Sequence, residues 1–163
     1  MNAMLSNRRA LYYKTFPVFL VLPFMILFII ACASNQTIKE KPEPRIVKVT
    51  LAKGINDSGD RDILLAPTSK FYTQDTAVIA HVELAEISGR HTIQWEWFTP
   101  NGDLYFKTNK HEIGPADGFF VDETTAWHKI SIMDEKASYY PGTWQVNIHL
   151  DGSMISSKRF DIA

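Results

Sequence analysis

Five histidines, a scatter of carboxylates and a single cysteine are the side chains that could do chemistry in this 163-residue chain. His81 and Glu83 stand two apart in a run of period two, so both leave the same face of a strand and could approach one ion. A third ligand has to come from elsewhere, and His149, on the outer side of the closing hairpin, is the candidate. His91, His111 and His128 have no ligand spacing. An outward His and Glu also describe the solvated face of an antiparallel sheet, so no metal is assigned. The adjacent acids Asp122-Glu123 and Asp134-Glu135 alternate faces or stay in loops, which is not the facing couple that glycoside cleavage needs. There is no G-x-S-x-G elbow, no H-E-x-x-H and no Gly-rich phosphate loop. The expectation is a protein with no catalytic residue and no cofactor.

The aromatic residues divide in two. Trp95, Trp97 and Trp144 share faces with Ile and Val, the pattern of core packing. Trp127, Tyr139 and Tyr140 flank less regular segments, and Tyr139-Tyr140-Pro141-Gly142 enters a turn. These three are the candidate ligand-binding residues: exposed rings there could stack on a sugar or on a partner's proline. Packing against one end of the domain is the alternative. The formal net charge of −1 excludes nucleic-acid binding by bulk charge.

The elements that position these residues begin with an export pattern. Arg8, Arg9 and Lys14 precede the first acid, Glu40, and Phe16 to Ile30 is almost wholly apolar. Fifteen residues reach roughly 23 Å as a helix, short of a roughly 30 Å hydrocarbon core. Pro17 and Pro23 also break a long helix. A basic head, a short apolar run and small residues at its end make a secretory signal. The junction Ile29-Ile30-Ala31-Cys32 resembles the lipobox of bacterial lipoproteins. That resemblance implies lipidation of Cys32 with cleavage before it, and Ala33, where an Asp would retain the protein at the inner membrane, favours the outer membrane. One acyl chain holds marginally, whereas two or three anchor stably.

With residues 1–31 removed, Arg8, Arg9 and Lys14 go too, so 17 basic residues become 14 against 18 acids and the charge falls to −4. Residues 32–44 comprise Cys32 and a polar, Pro-containing tether that cannot order itself by burial. Its twelve residues after the cysteine reach about 40 Å at full stretch.

From residue 45 to 163 the period is two. Strands are expected at Ile46–Leu51, Ile63–Leu65, Thr76–Leu84, His91–Phe98, Leu104–Thr108 and Thr143–Leu150, with the chain returning through Phe160 and Ile162. Phe119–Val121 and Trp127–Ile132 are two further candidates. Asn101-Gly102 and Asp151-Gly152 supply turns. A simple turn at Asp151-Gly152 would put Ile155 in phase with Ile148 but Phe160 on the opposite face, so a bulge is expected between Ser153 and Phe160. No helical stripe is visible. About seven to eight short strands indicate an all-β, antiparallel sandwich. A Trp in the third strong strand, and the closing Gly142-Thr143-Trp144-Gln145-Val146, Asp151-Gly152, Phe160-Asp161-Ile162, resemble immunoglobulin-like and fibronectin type III-like modules of bacterial surface and periplasmic proteins. The resemblance implies fold and no activity.

Together these readings describe a non-enzymatic lipoprotein of the bacterial cell envelope, held to the membrane by the lipid on Cys32. It would present a β-sandwich to an envelope protein partner and bind no nucleic acid. A carbohydrate- or small-ligand-binding lipoprotein using Trp127, Tyr139 and Tyr140 is the alternative. A metal-binding protein or enzyme using His81, Glu83 and His149 is the third.

Overall fold

The computed structural model describes residues 43–59 and 61–163; the signal, Cys32 and nearly all of the tether lie outside them. Ten strands follow in chain order: β1 (Arg45–Asn56), β2 (Ile63–Pro67), β3 (Lys70–Phe71), β4 (Ala77–Ser88), β5 (His91–Phe98), β6 (Leu104–Lys107), β7 (His111–Ile113), β8 (Phe120–Ser131), β9 (Gly142–Leu150) and β10 (Ser153–Ile162). A single 3-10 turn, Lys136–Tyr139, joins β8 to β9. No helix among the described residues is long and apolar enough to cross a membrane.

The strands form a four-stranded sheet in the order β2-β1-β4-β8 and a six-stranded sheet in the order β3-β10-β9-β5-β6, with β7 also on β5. All pairings are antiparallel except the two-residue match of β3 with β10. Apart from the brief visit of β3, the chain crosses to the six-stranded sheet between β4 and β5, returns between β7 and β8, and crosses again between β8 and β9. That places β1, β4 and β8 as strands A, B and E of an immunoglobulin-like sandwich, with β5, β9 and β10 as C, F and G opposite. The fold is therefore the expected antiparallel immunoglobulin-like sandwich.

The sequence pattern explains which faces meet. Val78, Ala80, Val82 and Leu84 of β4 point inward with Ile93, Trp95 and Trp97 of β5 and with Trp144, Val146 and Ile148 of β9. All three tryptophans are buried, as their Ile- and Val-bearing faces require. Rings interlock edge to face: Tyr105 on Trp144 at 5.0 Å, Phe71 on Phe160 at 5.6 Å and Trp97 on Phe160 at 6.0 Å between centroids. The anticipated bulge sits where the register slips between Met154 and Ser156, and it returns Phe160 and Ile162 to the core. At the hairpin tip Asp151 and Gly152 both take positive φ, 50° and 85°, the geometry of an Asp-Gly turn.

Several local expectations are corrected. Phe119–Val121 and Trp127–Ile132 are not separate strands, because Phe120 to Ser131 is one continuous strand in register with β4. β1 continues through Gly54 to Asn56, where a loop was expected, since β2 pairs with it there. β3 and β7 are too short to leave a periodic signal and are held by β10 and β5. His81 is not on a solvated face but 3% exposed. The β1–β2 excursion brings Asp62 to it, and a small outer cluster forms beside it from Ala52, Ala77 and Ile79.

Candidate functional site

The histidines do not converge. His81 lies on the outer face of the four-stranded sheet, where its Nε2 and Asp62 Oδ2 are 3.1 Å apart. Asp62 also accepts from the Thr125 hydroxyl at 2.8 Å, so it ties the β1–β2 loop to β4 and β8 at once. His81 Nδ1 is buried with no partner among the described residues. His149 lies on the opposite sheet, beside Glu96 at 3.1 Å. The core separates the two outer faces, so His81 and His149 cannot share an ion. Glu96 is instead held below the usual carboxylate range by the Lys107 ammonium, 2.8 Å away, and then by His149. Among the described residues no group of three or more His, Cys, Asp or Glu side chains could hold a metal.

The candidate aromatics are also apart. Trp127 is half-buried against the outer cluster with Ile55 and Leu64. Tyr139, 77% exposed, ends the 3-10 turn, and Tyr140, 43% exposed, follows it towards the other sheet. Tyr140 packs edge-on to Trp144 at 6.5 Å, and its carbonyl accepts the Trp144 indole N–H at 2.8 Å. Trp127 makes no ring contact with either tyrosine among the described residues.

What the fold does assemble is an edge. In the A-B-E-D order of an immunoglobulin-like sheet, strand D covers strand E. Here no described strand occupies that place, and β8 ends the sheet, with eleven of its twelve residues in register with β4 on one side and no described strand on the other. β8 is the longest edge among the described residues, and two other stretches are open as well: β10 from Ser153 to Phe160, since β3 covers only Asp161 and Ile162, and β1 from Arg45 to Thr50, before its pairing with β2. Along β8 the register with β4 sets Glu123, Thr125, Trp127 and Lys129 on the outer face and Thr124, Ala126, His128 and Ile130 on the inner face.

A hollow flanks each end of this edge. On the outer face a cavity of about 590 Å³ lies against Glu123 and Thr125, and Asp62, Glu83 and Arg61 also line it. Around the rim, on the inner side, a shallower one of about 250 Å³ lies between His128 and Phe106, with Tyr105 and Glu135. His128 stacks on Phe106 with rings 9° from parallel, and its Nδ1 accepts the Trp97 indole N–H at 3.1 Å. Burial, with a smaller contribution from the nearby His111, pushes His128 down to about 4. It is therefore a neutral acceptor at pH 7. No periodicity in the sequence pointed to His128; only the opposing tryptophans of the other sheet reveal its setting.

Searches against protein-family models and against curated proteins gave no match. Solved structures with similar backbones include the Pseudomonas fluorescens alkylpurine DNA glycosylase AlkC bound to DNA containing an abasic site analog. It is 12% identical with a TM-score of 0.48, covering 76% of this chain and 31% of that one. An immunoglobulin-like protein from Pseudomonas aeruginosa is 15% identical with a TM-score of 0.45, covering 76% of this chain and 99% of that one. The CARDB domain of a Pyrococcus furiosus protein, in complex with di-metal ions, is 12% identical with a TM-score of 0.38, covering 76% and 89%. No activity follows from likenesses at this level.

Proposed function

We propose that this chain is a lipid-anchored, non-enzymatic lipoprotein of the bacterial envelope whose sandwich binds a protein partner by accepting a strand along β8. The observation that carries the reading is the twelve-residue strand paired on one side only. In strand addition the main chain supplies affinity, and hollows for alternate side chains supply selectivity. The cavity at Glu123 and Thr125 and the cleft at His128 are hollows of that kind, on opposite faces of one strand. The export pattern and Ile29-Ile30-Ala31-Cys32 support the anchor, and the tether would hold β8 clear of the bilayer.

The test is photocrosslinking in cells from probes placed singly at residues 123 to 129, with Asn147 on β9, a strand paired on both sides, as control. A strand lying against β8 gives adducts whose yield alternates with period two along the series. Yields no higher than at Asn147, or equal at every position, would remove strand addition as the binding mode.

A further inference from the structure

The outer face of β8 carries its charges in opposite halves. Glu123 lies three residues before Ala126 and Lys129 three residues after it, and Ala126 sits at the middle of the strand. Both charged side chains are exposed, and neither has an ion-pair partner among the described residues. A strand of this kind is complementary to itself when reversed. We propose that the partner strand is β8 of a second copy of this chain, paired antiparallel about Ala126, so that Glu123 of each copy faces the partner's Lys129.

Register follows from the chemistry. Antiparallel pairs that share a face must have an even sum of residue numbers, so a two-fold pairing centres on a residue and not between two. Centring on Thr125 would oppose Asp122 with His128, which is uncharged at neutral pH. It would also place Lys129 opposite the apolar Val121. Centring on Ala126 instead gives two Glu123–Lys129 pairs, one on each side of the axis, with Thr125 opposite Trp127. It also brings each lysine to the rim of the partner's outer cavity, where Asp62, Glu83 and Glu123 outnumber Arg61. A small side chain meets its own copy on the axis. Parallel pairing fails the same test, because it sets Glu123 on Glu123 and Lys129 on Lys129.

This inference rests on the strand-addition reading above and names the partner for that site. Its experiment is a charge exchange in the full chain, followed by sedimentation in detergent and by the size of the crosslinked adduct in cells. Glu123→Lys and Lys129→Glu each turn two attractive contacts into repulsive ones, and each is expected to weaken self-association about tenfold. The double variant, Glu123→Lys with Lys129→Glu, restores both pairs and is expected to return association to the starting level. Because both residues are exposed, circular dichroism of all three variants should match the parent chain. Singles that weaken association with a double that does not recover would overturn the Ala126 register. A monomeric parent chain whose β8 probes still give alternating adducts, of a mass other than twice its own, would overturn self-pairing and leave strand addition standing. Absence of any β8 adduct, with a monomeric chain, would overturn both.

Discussion

Lowering the pH from 7 to 4.5 should destabilise this sandwich chiefly through His128. The ring accepts a hydrogen bond from Trp97 Nε1 at 3.1 Å, so its proton resides on Nε2, and protonation of Nδ1 would set two N–H groups against each other. Desolvation, followed by the charge of His111, lowers the folded value to about 4 from the ordinary 6.5. A base whose folded value lies below its unfolded one binds fewer protons in the native state. Its contribution is therefore complete above pH 6.5 and is lost as pH falls towards 4. At 1.36 kcal/mol per unit, the lowering to about 4 amounts to at most about 3 kcal/mol. Solvent at the half-buried ring reduces this to about 2 kcal/mol. Urea unfolding followed by tryptophan fluorescence measures the loss, and His128→Asn supplies the control, since an amide oxygen near the Nδ1 position can accept the indole N–H without titrating. The variant should lose most of the dependence between pH 6.5 and 4.5 and keep the further loss at lower pH, where Glu96 and Asp151, both held below their ordinary values, take up protons. An NMR titration placing His128 near 6.5, or a variant with the parent's pH dependence, would refute the reasoning.

Trp144→Ala should cost about 3–5 kcal/mol in chemical denaturation, since it empties a fully buried site packed by Tyr105 and Phe160. Asp62→Ala leaves both nitrogens of buried His81 without a partner and frees Thr125, so about 1–3 kcal/mol is expected, with faster proteolysis between Asn56 and Ile63. Gly114→Ala places a Cβ 2.5 Å from the Gly89 carbonyl oxygen at a φ of +87°, and a melting temperature unchanged by it would contradict that crowding. Cys32→Ala should abolish incorporation of labelled palmitate; label that persists would exclude this cysteine as the anchor.

How much of this was legible follows from where each signal resides. The core tryptophans and the bulge near Ile155 could be read because β4, β5, β9 and the end of β10 alternate cleanly between a buried and a wet face. β8 looked like two fragments because its inward positions are Thr124, Ala126 and His128, which sit at the rim of the sandwich and not over its centre. An edge strand needs less apolar surface, so its period fades although its backbone is continuous. His81 looked solvated because what buries it, Asp62 and the β1–β2 excursion, lies about 20 residues away in sequence and on no shared period. The open edge was not legible at all. A missing strand D has no local signature, and only the pairing order shows that no described strand covers β8.

An exposed edge of this length invites aggregation unless something limits what can pair with it, and charged residues are the common safeguard. A row of one sign would repel every copy. β8 carries opposite signs at equal distances from Ala126, which repels a parallel copy and attracts an antiparallel one. Pairing of that kind closes at β8: the two-fold consumes the longest edge of both copies. The proposed lipid anchor is compatible with it. Arg45 pairs with Ala85, which pairs with Glu123, so the chain enters the domain at the Glu123 end of β8. In the reversed copy the entry point falls beside Lys129, six residues or about 20 Å away along the strand. Tethers with a reach of about 40 Å each could span that offset, so two copies anchored in one leaflet could meet edge to edge. Confinement to a membrane would also raise their effective concentration, which lets a contact of modest area form where dilute solution would favour the monomer. Removing the anchor by Cys32→Ala should therefore weaken crosslinking between copies in cells more than either charge reversal does alone.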